Sequence, residues 1–425
     1  MEPTNSTAIE PQSEGEIGIS QYAGRRDIVE ATVPEGVRRI DDYAFAGCDG
    51  MSGICLPDSL TEIGEGAFAW CSGLTELALP AGVRTIGRGA FAHCVNLRSI
   101  SLPEAFDELR ADIFEGCESL RKIKTGALFA WSDGFAVRTE DGVVALALPE
   151  AVRGGVLRLP GGASGVADGA LMLCREATRL VVPKSVTEVG WPALEGLDGL
   201  KDIETEEGGM LRFEEGSLWN GDTLVLHLGD EEVVRLKAKG ASLRIGARAF
   251  AKRGLKEFRM EMEGGCEVEI GEMAFEGCAR LGRVELTGRG KVRMGAEAFA
   301  ECAALVAVSI PTEMREIPEG AFANCTSLAR VDMHDDIEEI GDMAFTGCAK
   351  LTAVELPLGL RRIGCGAFAW SGLTAVAIPR GVKEVGDFAF GMCRGLEMAT
   401  VPTSCSERAG DIFADCPRLE IMGTN

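Results

Sequence analysis

The sequence predicts an α/β repeat fold, a solenoid of stacked coils with one short parallel strand per coil of about 23 residues and two β-hairpin interruptions. Three observations carry this. Cys48, Cys71, Cys94 and Cys117 stand 23 residues apart; so do Phe45, Phe68, Phe91 and Phe114, and so do Pro34, Pro57, Pro80 and Pro103. Three residue types locked to one period mark an array of one structural unit, each unit packing on its neighbours because it cannot bury its own apolar face. Length alone would suggest two or three globular domains at 425 residues, but stacked coils form one array whatever their number.

Residues 1–16 are polar, contain two prolines and are expected to be disordered. Residues 17–124 then hold an N-terminal cap, with Ile19, Tyr22, Ile28 and Val33 as a degenerate first strand, followed by four repeats. The unit is clearest in LTELALPAGVRTIGRGAFAHC, residues 74–94. Leu77 and Leu79 alternate with Ala78 in the manner of a strand, and Pro80 ends it because proline has no N–H for a ladder. Val83 and Ile86 anchor the return path, and Ala90, Phe91 and Cys94 form a short turn facing inward.

Residues 125–155 break the period with strand-like alternation and Asp-Gly pairs at 133–134 and 141–142. Residues 204–243 do so again, with Asn220-Gly221-Asp222 between SLW and TLVLHL. Such pairs between apolar runs signal hairpins. The inserts enclose two degenerate repeats at 156–203, where Leu171 and Leu194 replace the phenylalanine, and an eight-repeat section fills 244–425. Its end has no polar cap, which predicts possible self-association there.

Composition narrows function. The formal charge of −23 argues against nucleic acid and anionic membrane surfaces, which are bound through Lys and Arg. No stretch approaches the ~18 apolar residues of a membrane span, and the N-terminus lacks a basic start and apolar run, so a cytoplasmic location is expected. Fifteen cysteines cannot pair completely. Equivalent Cα atoms in adjacent coils fall about 5 Å apart, but the parallel Cβ atoms would also stay near 5 Å, beyond the usual ~3.8 Å of a disulfide. The periodic thiols are therefore expected free and buried as small apolar fillers, with Cys55, Cys266, Cys365 and Cys405 more exposed.

The pattern C-x-x-L-x-x-I-x-L-P-x-x-V-x-x-I-G-x-x-A-F resembles the leucine-rich repeats of the BspA type. The coil from Cys94 to Phe114 departs from it, with Leu109-Arg110 in place of Ile-Gly. The opening ISQYAGRRDIVEATVPEGVRRIDDYAF and the hairpin inserts are also similar to that family, over about residues 17–421. The resemblance implies a curved right-handed solenoid with strands on the concave side, and a bacterial surface adhesin as one role; this chain shows no recognisable export signal.

A catalytic or metal constellation is not legible. His93 beside Cys94 suggests a nucleophile pair, but Cys94 is the coil's inward thiol. His227 lies in a hairpin, and His334 replaces a strand-ending proline as a solvated turn residue. The acidic run Asp332, Asp335, Asp336, Glu338 and Glu339 lacks the spacing of a calcium loop, and TGRGKVRMG at 287–295 lacks that of a phosphate loop. No cofactor and no metal are expected. The function predicted is a non-enzymatic scaffold binding a protein or peptide on the concave sheet, with an exported adhesin, or an enzyme seated in the inserts, as alternatives.

Outward positions on the strands give the candidate face: Glu76, Ser99, Ser101, Lys122, Lys124, Arg158 and Arg179 in front, and Arg283, Glu285, Ser309, Arg330, Asp332 and Glu355 behind. Ala78, Val181 and the small pair Ala375 and Ala377 belong to the same rows. The basic stretch Lys122, Lys124, Arg158 and Arg179 is the one local signal on an acidic chain.

Overall fold

The computed structural model describes residues 6–424 and divides into two compact units, one ending at Phe213 and the other starting at Glu214. The boundary lies inside the second insert, in the strand Leu211–Glu214.

In the first unit the coils advance by one period per rung. The strands Ser6–Ala8, Glu30–Thr32 and Gly53–Cys55 pair in parallel, with Glu30 opposite Gly53. Glu76–Ala78, Ser99–Ser101 and Lys122–Lys124 form the next parallel ladder, with Glu76 opposite Ser99 and Ser99 opposite Lys122. The parallel-strand solenoid is thus the fold. A second track accompanies it: Glu16–Ile17, Arg39–Ile40, Glu62–Ile63 and Thr85–Ile86 form their own parallel ladder at the Ile-Gly positions. One strand per coil was too few, because a two-residue bridge leaves no alternation for the eye to find.

The expected disorder of residues 1–16 also needs correction. Residues 1–5 lie outside the described part, but Ser6–Ala8 pairs with Glu30–Thr32, and Ile9 and Ile17 are buried. The reason is apolar: without Ile9 and Ile17, the first coil would face water. Tyr22 completes this cap by stacking on Phe45 at 5.3 Å, while its hydroxyl donates to the Glu10 carbonyl at 3.0 Å. Ile19, expected in the cap, is exposed.

The first insert is a meander. Phe129–Ser132 pairs antiparallel with Phe135–Arg138, which pairs antiparallel with Val143–Ala147. Val143 and Val144 then pair in parallel with Gly165 and Val166, so the insert's last strand rejoins the second track. A short strand, Val152–Arg153, runs antiparallel to Val156–Arg158, which leads the ladder through Arg179–Val182 to Asp202–Thr205.

The second unit repeats the device. Ser217–Asn220 pairs antiparallel with Thr223–His227, and Thr223 and Leu224 pair in parallel with Arg244 and Ile245. The coils that follow hold strands of unusual length, Glu257–Ile270 and Arg283–Met294. They carry Glu261 and Thr287 where other coils have proline. The retained N–H lets the ladder continue there, and each strand runs through both tracks. The fragment 287–295 is part of such a strand. Further on, residues 353–355 form no strand, so the ladder that ends at Arg330–Asp332 is separate from Ala375–Ala377, Met398–Pro402 and Glu420–Thr424. Among the described residues the one α-helix is Ala409–Ile412; the arcs are turns, tightened to 3₁₀ helices at Ala111–Phe114 and Trp191–Leu194.

Both interiors are columns. Phe45, Phe68, Phe91 and Phe114 stack at 5.3–6.0 Å between ring centroids, with their planes nearly parallel. Phe250, Phe275, Phe299, Phe322, Phe345, Phe368, Phe390 and Phe413 do the same at 4.8–5.7 Å. The thiols are more than fillers. Cys71 donates to the Phe45 carbonyl at 3.1 Å, Cys94 to Phe68 at 3.2 Å and Cys325 to Phe299 at 3.2 Å, so each ties its coil to the one before. Burial pushes Cys94, Cys174 and Cys278 up to about 12, and these thiols stay protonated. All fifteen cysteines are free. Cys55 and Cys365 are exposed as expected, whereas Cys266 and Cys405 are buried.

Candidate interaction face

The outward strand positions are where side chains are free to meet a partner, because the alternate residues, such as Leu77, Ile100 and Ile123, are buried in the column. Glu76, Lys122, Lys124, Arg158 and Arg179 are exposed, and Ser99 and Ser101 are half-buried. In the second unit Arg283, Ser309, Arg330 and Glu355 are exposed, with Glu285 and Asp332 half-buried. Val181, assigned to this face, is buried instead. Glu355 lies in residues that make no ladder.

The basic stretch does not act as one patch. Lys122 and Lys124 project from the ladder Glu76–Ala78, Ser99–Ser101, Lys122–Lys124, whereas Arg158 and Arg179 belong to a different one. Arg179 is neutralised by Asp202 at 3.1 Å and Glu204 at 3.2 Å. Lys122, Lys124 and Arg158 have no ion pair among the described residues. On the second unit the charges cancel in place. Arg259 meets Glu257 at 2.8 Å and Glu285 at 3.2 Å, and Arg283 reaches Glu257 at 3.4 Å and also contacts Glu285. Arg330 pairs with Asp332 at 2.7 Å, and Ser309 donates to Asp332 at 3.2 Å. That hydrogen bond from Arg330 holds the Asp332 carboxyl below its usual range. Exposed pairs of this kind add little stability; they leave Lys122, Lys124 and Arg158 in the first unit, and Arg235 in the second, as strand-row cations with no ion pair among the described residues.

The histidines separate cleanly. His93 stacks outward on Trp70 at 5.4 Å while Cys94 points inward, so the neighbours in sequence do not meet. His334 donates from Nε2 to the Pro311 carbonyl at 2.9 Å and is half-buried, more enclosed than a solvated turn residue. Asp335, in the acidic run, accepts from the Leu358 N–H at 3.0 Å.

His227 is the surprise, because the second insert brings it to Ser217 across the hairpin. The Ser217 hydroxyl lies 2.9 Å from Nδ1, and a Glu231 carboxylate oxygen lies 3.3 Å from Nε2. Ser217 and Nδ1 share a hydrogen bond, whereas Nε2 makes none and meets Glu231 only through its charge. Burial lowers the His227 pKa against a smaller opposing effect from Glu231, so the ring is neutral. The trio has the composition of a hydrolytic relay. Ser217 and His227 are 5% and 3% exposed, which closes the hydroxyl to substrate here. The ring also packs on Phe250 at 5.0 Å, so the trio bolts the insert to the phenylalanine column. Pairing across a hairpin was the signal that could have found it: Ser217 stands opposite His227 once the turn is placed.

Sequence reasoning also missed exposed aromatic and thioether side chains on the arcs. Trp70, Trp370, Phe388 and Met343 are about half exposed. Trp70 and Trp370 occupy the left-handed position before the column cysteine or its serine replacement, which turns them outward.

The family description "BspA type Leucine rich repeat region" matches six copies, over residues 15–130, 243–369 and 292–420. Solved structures similar to this chain include a leucine-rich repeat protein from Bacteroides ovatus, 21% identical over 98% of this chain and 92% of that one, with a TM-score of 0.37. A leucine rich cell surface protein from Faecalibacterium prausnitzii is 19% identical over 99% and 88%, TM-score 0.29. The pneumococcal vaccine antigen PcpA is 15% identical over 96% and 85%, TM-score 0.31. No curated protein matches the chain. Among the described residues no helix is long and apolar enough to cross a membrane. With most of its length matched and Phe, Cys and Ile-Gly recurring in register, the chain belongs to the BspA-type leucine-rich repeat proteins.

Proposed function

We propose that this protein is a non-enzymatic interaction scaffold that binds a protein or peptide on the exposed face of its parallel strands, in the first unit around Lys122 and Lys124. The observation that carries the reading is charge. On the strand rows Arg179, Arg259, Arg283 and Arg330 meet carboxylates of the same chain, whereas Lys122 and Lys124 stand two residues apart on one strand with no ion pair among the described residues, on a chain of charge −23. Uncompensated cations beside half-buried Ser99 and Ser101 suit an acidic protein surface. A quantitative pull-down compares wild type with K122E/K124E. A partner retained by wild type and lost at least tenfold by the variant supports the reading, and indifference to the double reversal sinks it.

The column of free thiols and the exposed Cys55 and Cys365 favour a reducing compartment. Fractionation of expressing cells tests this against the exported adhesin reading: recovery of the protein in the extracellular or surface fraction would reverse the assignment.

A further inference from the structure

The first insert does more than interrupt the array, because it roofs a cleft of about 590 Å³ over the strand face. The hairpin turn at Asp133-Gly134 is left-handed at both residues, and Leu148 donates to the Gly134 carbonyl at 2.8 Å. A Cβ on Gly134 would stand 3.0 Å from the Ala151 nitrogen, so the turn is pressed against the Pro149–Ala151 segment. That contact brings Asp133 to Arg153, with Nη2 and Oδ1 2.8 Å apart, and closes one wall. Half-buried Val156 supplies the apolar surface, with Phe135 and Leu159 buried behind it. Arg158 rises from the floor with no hydrogen bond or ion pair among the described residues.

The balance of groups selects a ligand. Arg153 is already neutralised by Asp133, so the cleft carries one uncompensated guanidinium beside the apolar Val156. A single carboxylate matches one free guanidinium in a bidentate contact. A doubly charged phosphate would keep half its charge unpaired among Phe135, Val156 and Leu159. The volume lies within the range of about 300–1,000 Å³ that holds a small ligand or a few residues of peptide.

We infer that this cleft binds a peptide carboxylate next to an aliphatic side chain, with Arg158 pairing the carboxylate and Val156, backed by the buried Phe135 and Leu159, meeting the aliphatic group. The site rests on the interaction-scaffold reading and names one anchor of the partner. It takes Arg158 from the strand rows and adds to it the first insert, which the strand-row argument did not include.

The probes are labelled hexapeptides titrated into the full chain by fluorescence anisotropy. One is amidated and ends Asp-Leu, its control is amidated and ends Asn-Leu, and a third ends Ser-Leu as the free acid. The inference expects the Asp-Leu or the free-acid probe to bind at least tenfold tighter than the Asn-Leu control. Which of the two binds separates a side-chain from a chain-terminal carboxylate. R158Q, at an exposed position, should unfold with wild type and lose that tenfold preference. Binding untouched by R158Q but lost in K122E/K124E would overturn the cleft and leave the strand-face reading standing. An absence of saturable binding up to about 1 mM for every probe overturns the cleft as well, while the pull-down judges the strand face separately.

Discussion

At the scale of single residues, phenylalanine and cysteine divide the work between dispersion and hydrogen bonding. Phe322 lies between Phe299 at 5.7 Å and Phe345 at 5.5 Å and is fully buried, while its carbonyl accepts from Cys348 at 3.3 Å. Phe322→Ala leaves that bond but opens a gap between two rings that cannot close on each other without shifting both coils. A loss of about 3–5 kcal/mol is expected, read as a lower midpoint in urea unfolding of the full chain; an unchanged midpoint would remove Phe322 from the core. Phe and Cys were legible one letter at a time. The hydrogen bond between them was not, because its partners lie 26 residues apart and the pairing exists only once coils stack.

At the scale of elements, the inserts show how a local rule meets its surroundings. The Asp-Gly and Asn-Gly-Asp turns were readable, since left-handed backbone favours those residues. Their destinations were not: Val143 and Thr223 begin strands that pair in parallel with the second track, a contact no local motif encodes. His227 gives this junction a pH dependence. Its main chain donates to Ala249 at 2.8 Å, and its buried ring is neutral, with Glu231, Asp230 and Arg253 as the charges around it. The unfolded ring takes a proton below about 6.5, whereas the folded ring resists one because its pKa is lowered. Stability is therefore full above that pH and falls as the pH drops, until the folded ring also protonates. Urea midpoints at pH 8, 6 and 5 should decline more steeply for wild type than for His227→Asn. Parallel declines would show that other groups carry the acid response.

At the scale of the whole molecule, charge is the governing quantity. Sixty-six acidic against 43 basic side chains repel one another, and the short-range pairs on the strand rows offset only part of this. Screening by salt should raise the thermal midpoint between about 10 mM and 150 mM ionic strength, over which the Debye length shrinks from ~30 Å to ~8 Å. A midpoint that falls with salt would place the local pairs above the net repulsion.

The sequence by itself determined the repeat, the column residues and the places where the array is interrupted, because a period of 23 and turn chemistry are properties of the chain read in order. Tertiary structure alone decided which charges are free: Arg179 looked like Arg158 until Asp202 and Glu204 were brought beside it. The same holds for the cleft, whose walls come from Asp133, Arg153 and Arg158 and meet only after the insert folds back. Electrostatic neutralisation and enclosure depend on distances across the chain, and spacing along the sequence does not contain them.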